Sequence, residues 1–282
     1  MSDWHEEGLY PDIRARFQIT KVLYDSKTEH QRLRLFEHPR FGKILTLDDV
    51  TQTTEKDEFV YHEMMTHVPI LAHGAARNVL IVGGGDGGIL EEVLKHPSVE
   101  KATMVEIDAG VVEFSKQFLS EICKDAFEDP RTDLVIDDGF AFMGNCKESF
   151  DVIIVDSTDP QGPGEILFTS EFYRRCKQRL TPGGVLVTQN GVPFMQGEEL
   201  RQSATFLRDY FADVSCYLAT IPTYVFGAMA MGWATDNAGL RQVPLETLQA
   251  RCKRLHLGAR YYTPEVHKAA FALPPYVSEL LA

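Results

Sequence analysis

The chain has 282 residues, of which 44% are hydrophobic and 24% charged, a usage typical of folded globular proteins rather than disordered chains. Acidic residues outnumber basic ones 41 to 28, for a formal charge of −13. This excess argues against a nucleic-acid partner, because phosphate backbones are bound mainly by Lys and Arg. No run of 18 apolar residues occurs, so we expect neither a membrane-spanning helix nor a membrane partner.

The first twelve residues are acidic and lack the apolar stretch of a signal peptide. The five cysteines are widely spaced and form no CxxC pair. Such usage favours free thiols in a reducing compartment over a disulfide framework or a zinc site. We therefore expect a cytoplasmic protein without a bound metal.

Residues 17–54 have the pattern of short antiparallel strands. Three apolar segments, FQITKVLYD, QRLRLFEH and GKILTLDDV, are separated by turn residues. The pattern then becomes helical over residues 55–73, with apolar side chains near one face. We place an N-terminal β-strand domain at residues 1–56 and a second domain at residues 57–282.

The second domain alternates strands and helices. Apolar runs begin at Asn78, Ala102, Asp133, Asp151 and Gly183, and helical segments separate most of them. This alternation predicts a mostly parallel sheet with crossover helices. The final β-like runs, VSCYLAT and AMAMGWAT, predict a terminal hairpin that adds antiparallel strands to the sheet.

A glycine-rich segment, GGGDGG, follows the first of these strands and begins a helix. Its residues Gly83, Gly85 and Gly88 satisfy the GxGxxG pattern of nucleotide-binding loops. Glu106 ends the next strand, where an acidic residue would accept hydrogen bonds from ribose hydroxyls. These features predict a site for a nucleoside-containing cofactor at the carboxyl edge of the sheet.

Asp86, inside the same loop, indicates which cofactor. A dinucleotide would bring its pyrophosphate to this loop, and two like charges about 4 Å apart cost on the order of 4 kcal/mol at an effective dielectric of 20. A carboxylate favours a cation instead, as in the S-adenosyl sulfonium compounds. NAD remains the alternative cofactor.

Acidic residues also follow the third and fourth predicted strands. Asp138 and Gly139 could hold the adenine edge, the acid accepting from the amino group, or they could form an ordinary turn. Asp156 and Asp159 place two carboxylates at the mouth of the same crevice and predict a cation site, with a turn or helix cap as the alternative. The Gly/Pro-rich stretch after Asp156, residues 157–165, predicts a lid.

The segment YHEMMTH superficially resembles a zinc-binding helix. Its histidines, His62 and His67, are five residues apart, which is about 500° of helical rotation, so they point in different directions. We therefore expect no zinc site here. Tyr61 and His62 are candidates for the wall of the crevice.

These segments together resemble the polyamine aminopropyltransferases, and among them the bacterial spermidine synthases. The resemblance rests on Gln31, TTEKDEFVYHEMMTHVP, GGGDGG, VEID, IDDG, DSTDP and IPTY, in the family's order. DEFxYHEM combined with DSTDP and IPTY is its most specific part. It implies a Rossmann-like, class I methyltransferase-type sheet, mostly parallel, behind a small antiparallel β domain, assembled as a homodimer or homotetramer.

The resemblance also implies roles for individual residues. Asp156 would be the catalytic base, assisted by Tyr61 and Tyr224. The nucleoside end of decarboxylated S-adenosylmethionine would contact Gln31, Gly83, Gly85, Glu106, Asp138, Gly139 and Pro163. The diamine would contact His62, Asp86, Asp156, Ser157, Thr158 and Asp159. Neither a prosthetic group nor a metal is implied.

The implied reaction is attack of a putrescine amine on the methylene next to the sulfonium, which gives spermidine and methylthioadenosine. At pH 7, deprotonating an amine with a pKa near 10.4 costs about 4.6 kcal/mol, and a carboxylate base offsets part of that cost. Aminopropyl transfer to another amine such as cadaverine or agmatine is one alternative. S-adenosylmethionine-dependent amine N-methylation and polyamine binding without catalysis are the others.

Overall fold

The computed structural model describes residues 3–159 and 162–282, without the side chain of Pro163. Its N-terminal part is a two-stranded and a four-stranded antiparallel sheet. The strands are β1 (Asp3–Glu7), β2 (Ala15–Ile19), β3 (Lys21–Lys27), β4 (Arg32–His38), β5 (Gly42–Leu47) and β6 (Val50–Thr54). Strand β1 was not predicted, because its inward-facing residues, His5 and Glu7, are polar. The boundary between residues 56 and 57 falls in the turn after β6 and stays a prediction.

Helix α1 (Glu58–His73) links this region to the large sheet. The sequence predicted one apolar face, but residues 60–72 of the helix are all buried. The helix packs on the large sheet on one side and is covered by a C-terminal segment on the other. The side chain of Glu63 on α1 accepts hydrogen bonds of 2.7–2.8 Å from the main-chain N–H groups of Arg260, Tyr261 and Tyr262. This buried polar group therefore has hydrogen-bond partners within the protein.

The large sheet has seven strands in the order β12-β13-β11-β10-β7-β8-β9. The strands are β7 (Asn78–Gly83), β8 (Lys101–Glu106), β9 (Thr132–Ile136), β10 (Phe150–Asp156), β11 (Leu180–Gln189), β12 (Asp213–Ala219) and β13 (Met229–Thr235). Strands β7 to β11 pair in parallel, whereas β13 is antiparallel to both β11 and β12. The predicted parallel sheet with a terminal antiparallel hairpin is confirmed.

Helices cover both faces of the sheet. The further helices are α2 (Gly88–Leu94), α3 (Ala109–Phe118), α4 (Ser120–Cys123), α5 (Gly139–Asn145), α6 (Ser170–Arg179), α7 (Gly197–Arg208), α8 (Leu245–Lys253), α9 (Pro264–Ala270) and α10 (Pro275–Leu280), with 3-10 turns at Ala126–Glu128, Gly162–Phe168 and Ala238–Leu240. Along β7, Val79 and Ile81 belong to one apolar core while Leu80 and Val82 belong to the core on the opposite face. A strand buried on both faces explains the continuous apolar runs in the sequence. Within the described ranges, no helix is long and apolar enough to cross a membrane.

The strand order creates a crevice between β7 and β10. From β7 the chain adds β8 and β9 on one side and then returns to place β10 on the other. The carboxyl ends of β7 and β10 are therefore adjacent, with Gly83 in register with Asp156. Ligands of open α/β sheets bind at such a reversal of strand order.

Candidate active site

A cavity of about 490 Å³ lies at this edge of the sheet, enclosed partly by the N-terminal strands. The predicted site residues that line it are Gln31, Tyr61, His62, Gly83, Gly85, Asp86, Glu106, Asp138, Gly139, Asp156, Ser157, Thr158, Asp159 and Tyr224. The side chain of Pro163, and residues 160 and 161 of the predicted lid, lie outside the described part of the chain. The fold thus gathers into one space residues that are far apart in the sequence.

Asp156, at the end of β10, lies beside Tyr61 of α1. The Tyr61 hydroxyl donates a hydrogen bond of 2.6 Å to Asp156 Oδ1. Burial, and next the negative charge of Asp86, raise the pKa of Asp156 to about 6, against the opposing effect of the Tyr61 hydrogen bond. At neutral pH this side chain is therefore mainly a carboxylate, and a stronger base than an ordinary aspartate.

Tyr224 packs edge-on against Tyr61, with ring centroids 6.2 Å apart. Its hydroxyl donates to the main-chain carbonyl of Gln52. The two tyrosines predicted to assist Asp156 therefore differ in position. Tyr61 contacts the carboxylate directly, whereas Tyr224 ties the wall of the cavity to the N-terminal strands.

The glycine loop approaches both acidic strand ends closely. Gly83 has a φ of +85°, and a Cβ there would lie 2.0 Å from the carbonyl oxygen of Asp156. The N–H of Gly84 donates to that same carbonyl at 3.2 Å. A Cβ on Gly85 would lie 2.9 Å from Glu106 Oε2. Glycine is required here both for backbone conformation and for space.

His62 is held between two carboxylates. Its Nε2 lies 3.3 Å from Asp86 Oδ2 and its Nδ1 lies 2.8 Å from Glu58 Oε2. Burial alone would lower the pKa of His62, but Asp86 and Glu58 raise it well above its usual value. Burial opposes the ionisation of Asp86 too, yet the His62 charge lowers its pKa. The cationic ring thus keeps Asp86 ionised, and both ring nitrogens already have partners.

Glu106 lies buried at the end of β8. Burial and the charges of Asp108 and Asp156 raise its pKa to about 7, although the Asp108 N–H donates to its Oε1 at 2.9 Å. Gln31 reaches the same region from the turn before β4, where its Nε2 donates to Asp108 Oδ2 at 3.2 Å. Gln31 and Glu106 therefore both contact Asp108, and both line this cavity.

Asp138 precedes α5 and caps it. Its Oδ1 accepts the main-chain N–H of Ala141 at 2.8 Å, so the capping alternative holds for that oxygen. A Cβ on Gly139 would lie 2.5 Å from Val82 Cγ1, which is why this position needs glycine. Both residues still line the cavity, so capping and ligand contact are compatible.

The opposite end of the cavity is acidic and was only partly foreseen. Asp159 Oδ1 accepts from the side-chain amides of Gln189 at 3.2 Å and Gln196 at 2.8 Å. Behind Gln196, burial and the Asp159 charge raise the pKa of Glu199 to about 8. Glu7 of β1 completes this end.

Sequence reasoning missed four of these polar residues and the neighbouring Tyr10. The Tyr10 hydroxyl donates to Gln196 Oε1 at 3.3 Å. Tyr10 lies three residues after Glu7, the last residue of β1. Gln189 and Glu199 come from β11 and α7. None stands in a recognisable motif. Only the position of Gln189 at a strand's carboxyl end was a usable signal.

Two family models match consecutive parts of the chain. Residues 58–246 match the spermine/spermidine synthase domain, and residues 3–55 match the spermidine synthase tetramerisation domain. The first match covers more than half of the chain. The chain belongs to the spermine/spermidine synthase family.

Curated relatives agree with this assignment. A polyamine aminopropyltransferase of a Ruegeria species is 59% identical over 277 residues, which cover 98% of each chain. Polyamine aminopropyltransferase 1 of Pseudomonas aeruginosa is 55% identical over 281 residues, covering 100% of this chain and 98% of the relative. Family membership therefore identifies a transferase of the polyamine aminopropyltransferase type.

Solved structures show the same fold. A spermidine synthase in complex with the transition-state analogue AdoDATO superposes with a TM-score of 0.93 at 37% identity, covering 99% of this chain and 94% of that one. The spermidine synthase of Thermotoga maritima has a TM-score of 0.90 at 35% identity and the same coverage. The predicted resemblance is thus confirmed at the level of family and fold.

Proposed function

We propose that this protein is a spermidine synthase, which transfers the aminopropyl group of decarboxylated S-adenosylmethionine to putrescine. The observation that carries the proposal is the buried Asp156 carboxylate beside Tyr61, in a cavity whose two ends are both acidic. Such a cavity suits a sulfonium compound and a diamine together. The relatives' names, and the complex of a structurally similar spermidine synthase with a transition-state analogue, support the same reaction.

The nucleoside would bind over the glycine loop. Glu106 would accept hydrogen bonds from the ribose hydroxyls, with Gln31 beside it, while Asp138 and Gly139 would meet the adenine edge. Asp86, kept ionised by His62, would face the positive part of the bound substrates. A pyrophosphate or the carboxylate of S-adenosylmethionine would be repelled there, which argues against NAD and against N-methylation.

The acceptor diamine would lie between Asp156 and Asp159. Its distal amine would stay an ammonium and donate to Asp159. Among the described residues, the buried Oε1 of Gln189 also has no hydrogen-bond donor, so the same ammonium can satisfy it. Fixing the charged end orients the reactive amine toward the sulfonium carbon.

The transfer itself is a single displacement. The nitrogen lone pair of putrescine forms a bond to the methylene carbon as the carbon–sulfur bond breaks, and the bonding pair moves to sulfur. Methylthioadenosine leaves as a neutral thioether, and the proton lost by the amine passes to Asp156. The chain's own contribution is orientation, exclusion of water and acceptance of that proton at the Asp156 carboxylate.

Assembly and location are further parts of the proposal. We infer a homodimer or homotetramer, supported by the match of residues 3–55 to a tetramerisation domain. Light scattering during gel filtration tests this, and a monomeric mass would contradict it. We also infer a cytoplasmic protein, because its five cysteines are free in the structure.

One incubation tests the reaction. The purified protein receives decarboxylated S-adenosylmethionine and equimolar putrescine, cadaverine, agmatine and spermidine, with S-adenosylmethionine in a parallel tube. Mass spectrometry should find spermidine from putrescine and methylthioadenosine as the dominant products. A different dominant aminopropylated amine would change the acceptor, and methylation in the parallel tube would refute aminopropyl transfer as the main reaction.

A further inference from the structure

The turn between β3 and β4 docks onto the start of α3. The Thr28 hydroxyl donates to Asp108 Oδ2 at 2.6 Å, and Gln31 Nε2 donates to the same oxygen at 3.2 Å. The Thr28 oxygen also accepts the main-chain N–H of Gln31 at 3.1 Å. A Cβ on Gly110 would lie 2.8 Å from the Thr28 methyl group, so the two segments approach closely. One threonine thus shapes the turn and attaches it to α3.

Asp108 connects this turn to Glu106. Its Oδ1 accepts the N–H of Gly110 at 2.9 Å and so caps α3, while its own N–H donates to Glu106 Oε1 at 2.9 Å. The residue is only 3% exposed. Both of its carboxylate oxygens and its main-chain N–H are therefore engaged, and together they set the position of Gln31 relative to Glu106.

We propose that Asp108 and Thr28 are positioning residues that hold Gln31 beside Glu106, so that recognition of the ribose diol depends on this contact between the N-terminal strands and α3. The inference rests on the proposed function, which assigns the nucleoside to this end of the cavity. A carboxylate and a side-chain amide, held side by side, match two adjacent hydroxyls that each donate and accept. Neither Asp108 nor Thr28 carries any role in the reaction proposed above.

The first test compares three nucleosides by calorimetry: methylthioadenosine and its 2′-deoxy and 3′-deoxy analogues. Thr28→Val removes the hydroxyl and keeps the shape. We expect it to weaken methylthioadenosine binding about fivefold to tenfold, the worth of roughly one hydrogen bond. At least one deoxy analogue should be affected less, so discrimination between ribose and deoxyribose shrinks. A general loss of structure would instead weaken all three nucleosides alike.

Two matched variants accompany this measurement. Thr28→Ser retains the hydroxyl and should restore both the affinity and the discrimination. Thr20→Val removes a threonine hydroxyl that donates to the Glu37 carbonyl in the same set of strands, away from the cavity. Its nucleoside affinities should equal those of the unsubstituted protein.

Asp108→Asn supplies a second measurement that does not depend on Thr28. Asparagine can still cap α3, but it lacks the negative charge. Besides burial, the charged groups that raise the pKa of Glu106 are Asp108 and, from β10, Asp156. Nucleoside binding that needs the Glu106 carboxylate weakens as the pH falls through that pKa. In Asp108→Asn the weakening should therefore occur at a lower pH. Discrimination between ribose and deoxyribose should also shrink, because an amide that caps α3 with its oxygen turns its nitrogen toward Thr28 and Gln31 and cannot accept their hydrogen bonds.

The outcomes separate the two proposals. If the unsubstituted protein neither binds methylthioadenosine nor transfers an aminopropyl group, the proposed function is wrong. If it does both, while Thr28→Val loses affinity equally for all three nucleosides or loses none, the positioning inference is overturned. Unchanged discrimination between ribose and deoxyribose in Asp108→Asn also contradicts it.

Discussion

Two neighbours of Asp156 act on its pKa in opposite directions. Asp86 raises it by repulsion, and the Tyr61 hydroxyl lowers it by donating to the carboxylate. Burial adds to the effect of Asp86 and is the largest cause, while the positive charge of His62 lowers the pKa as Tyr61 does. The result, a pKa of about 6, leaves a base that is ionised at neutral pH yet holds a proton better than an exposed aspartate does.

Asp156→Asn keeps the shape of this side chain and removes its basicity. We expect kcat to fall by roughly 10²- to 10⁴-fold, the usual contribution of a general base. Methylthioadenosine affinity should stay close to that of the unsubstituted protein, because the proposed nucleoside contacts are made by other residues. Steady-state kinetics and calorimetry measure the two quantities. Unreduced turnover would rule out Asp156 as the base.

Tyr61→Phe removes the hydrogen bond to Asp156 Oδ1 and so removes a stabilising partner of the charged form. The pKa of Asp156 should rise, and the acid limb of kcat/KM for putrescine, at saturating sulfonium substrate, should move to higher pH. Tyr224→Phe should leave the limb in place, because that hydroxyl donates to the Gln52 carbonyl. Equal shifts in both variants would contradict this distinction between the tyrosines.

Among the elements, the loop after β7 brings its main chain into contact with the carboxyl end of β10. Position 83 requires glycine for two separate reasons, its left-handed backbone conformation and its close contact with the Asp156 carbonyl. A sequence pattern of glycines indicates that such a loop exists. It does not show that one glycine lies directly beneath the proposed base.

Gly83→Ala should lower the free energy of unfolding much more than Gly258→Ala. Gly258 also has a positive φ, of +64°, but a Cβ there meets nothing within 4 Å. Its substitution therefore tests backbone strain alone, which costs about 1–2 kcal/mol. The 2.0 Å contact at Gly83 adds a steric clash with main chain that cannot relax easily. Urea unfolding compares the two variants, and equal losses would mean that the loop adjusts.

At the scale of the whole molecule, a pair of neutral histidines is buried where α1 meets the segment after α2. His67 Nδ1 lies 2.9 Å from His96 Nε2, and both rings are almost inaccessible to water. Burial is the main cause that lowers the pKa of each to about 3, and the positive charge of Lys95 lowers both further. On α1, His62 therefore faces the cavity while His67 faces a core, so the two side chains point in different directions, as their spacing predicted.

This pair should make stability depend on pH. A histidine whose pKa is lowered by folding takes up protons only in the unfolded chain between about pH 6.5 and 3, so its burial destabilises the fold as the pH falls. At pH 5 the cost is about 2 kcal/mol for one independent histidine. Glu106 and Glu199, with raised pKa values, act in the opposite direction.

His96→Gln isolates the histidine contribution. The free energy of unfolding, measured in urea at pH 7 and pH 5, should fall less on acidification in this variant than in the unsubstituted protein. A cost of the substitution at pH 7 is expected from the lost ring contacts, and it should shrink or reverse at pH 5. The same pH dependence in both proteins would show that the pair is not the source.

Much of the architecture could be predicted because it depends on local patterns. Continuous apolar runs indicate strands buried on both faces, and their alternation with helices indicates a parallel sheet. Strand β1 was not predicted because its inward-facing residues, His5 and Glu7, are polar and so give no alternation of apolar residues. The burial of α1 on all sides was not predicted either, because the segment that covers it comes from the C-terminal part of the chain.

Contiguous motifs indicate the family, the fold class and the acidic strand ends, so these could be inferred without a structure. The sequence also predicted that Asp86, Glu106, Asp138 and Asp156 would meet, since the carboxyl ends of parallel strands share one edge. The proximity of Glu7 and Glu199 to Asp159, and the link that Asp108 makes between Gln31 and Glu106, could be recognised only in the folded chain. Such contacts, and the pKa shifts they cause, depend on distances and burial between segments remote in sequence, which no local pattern encodes.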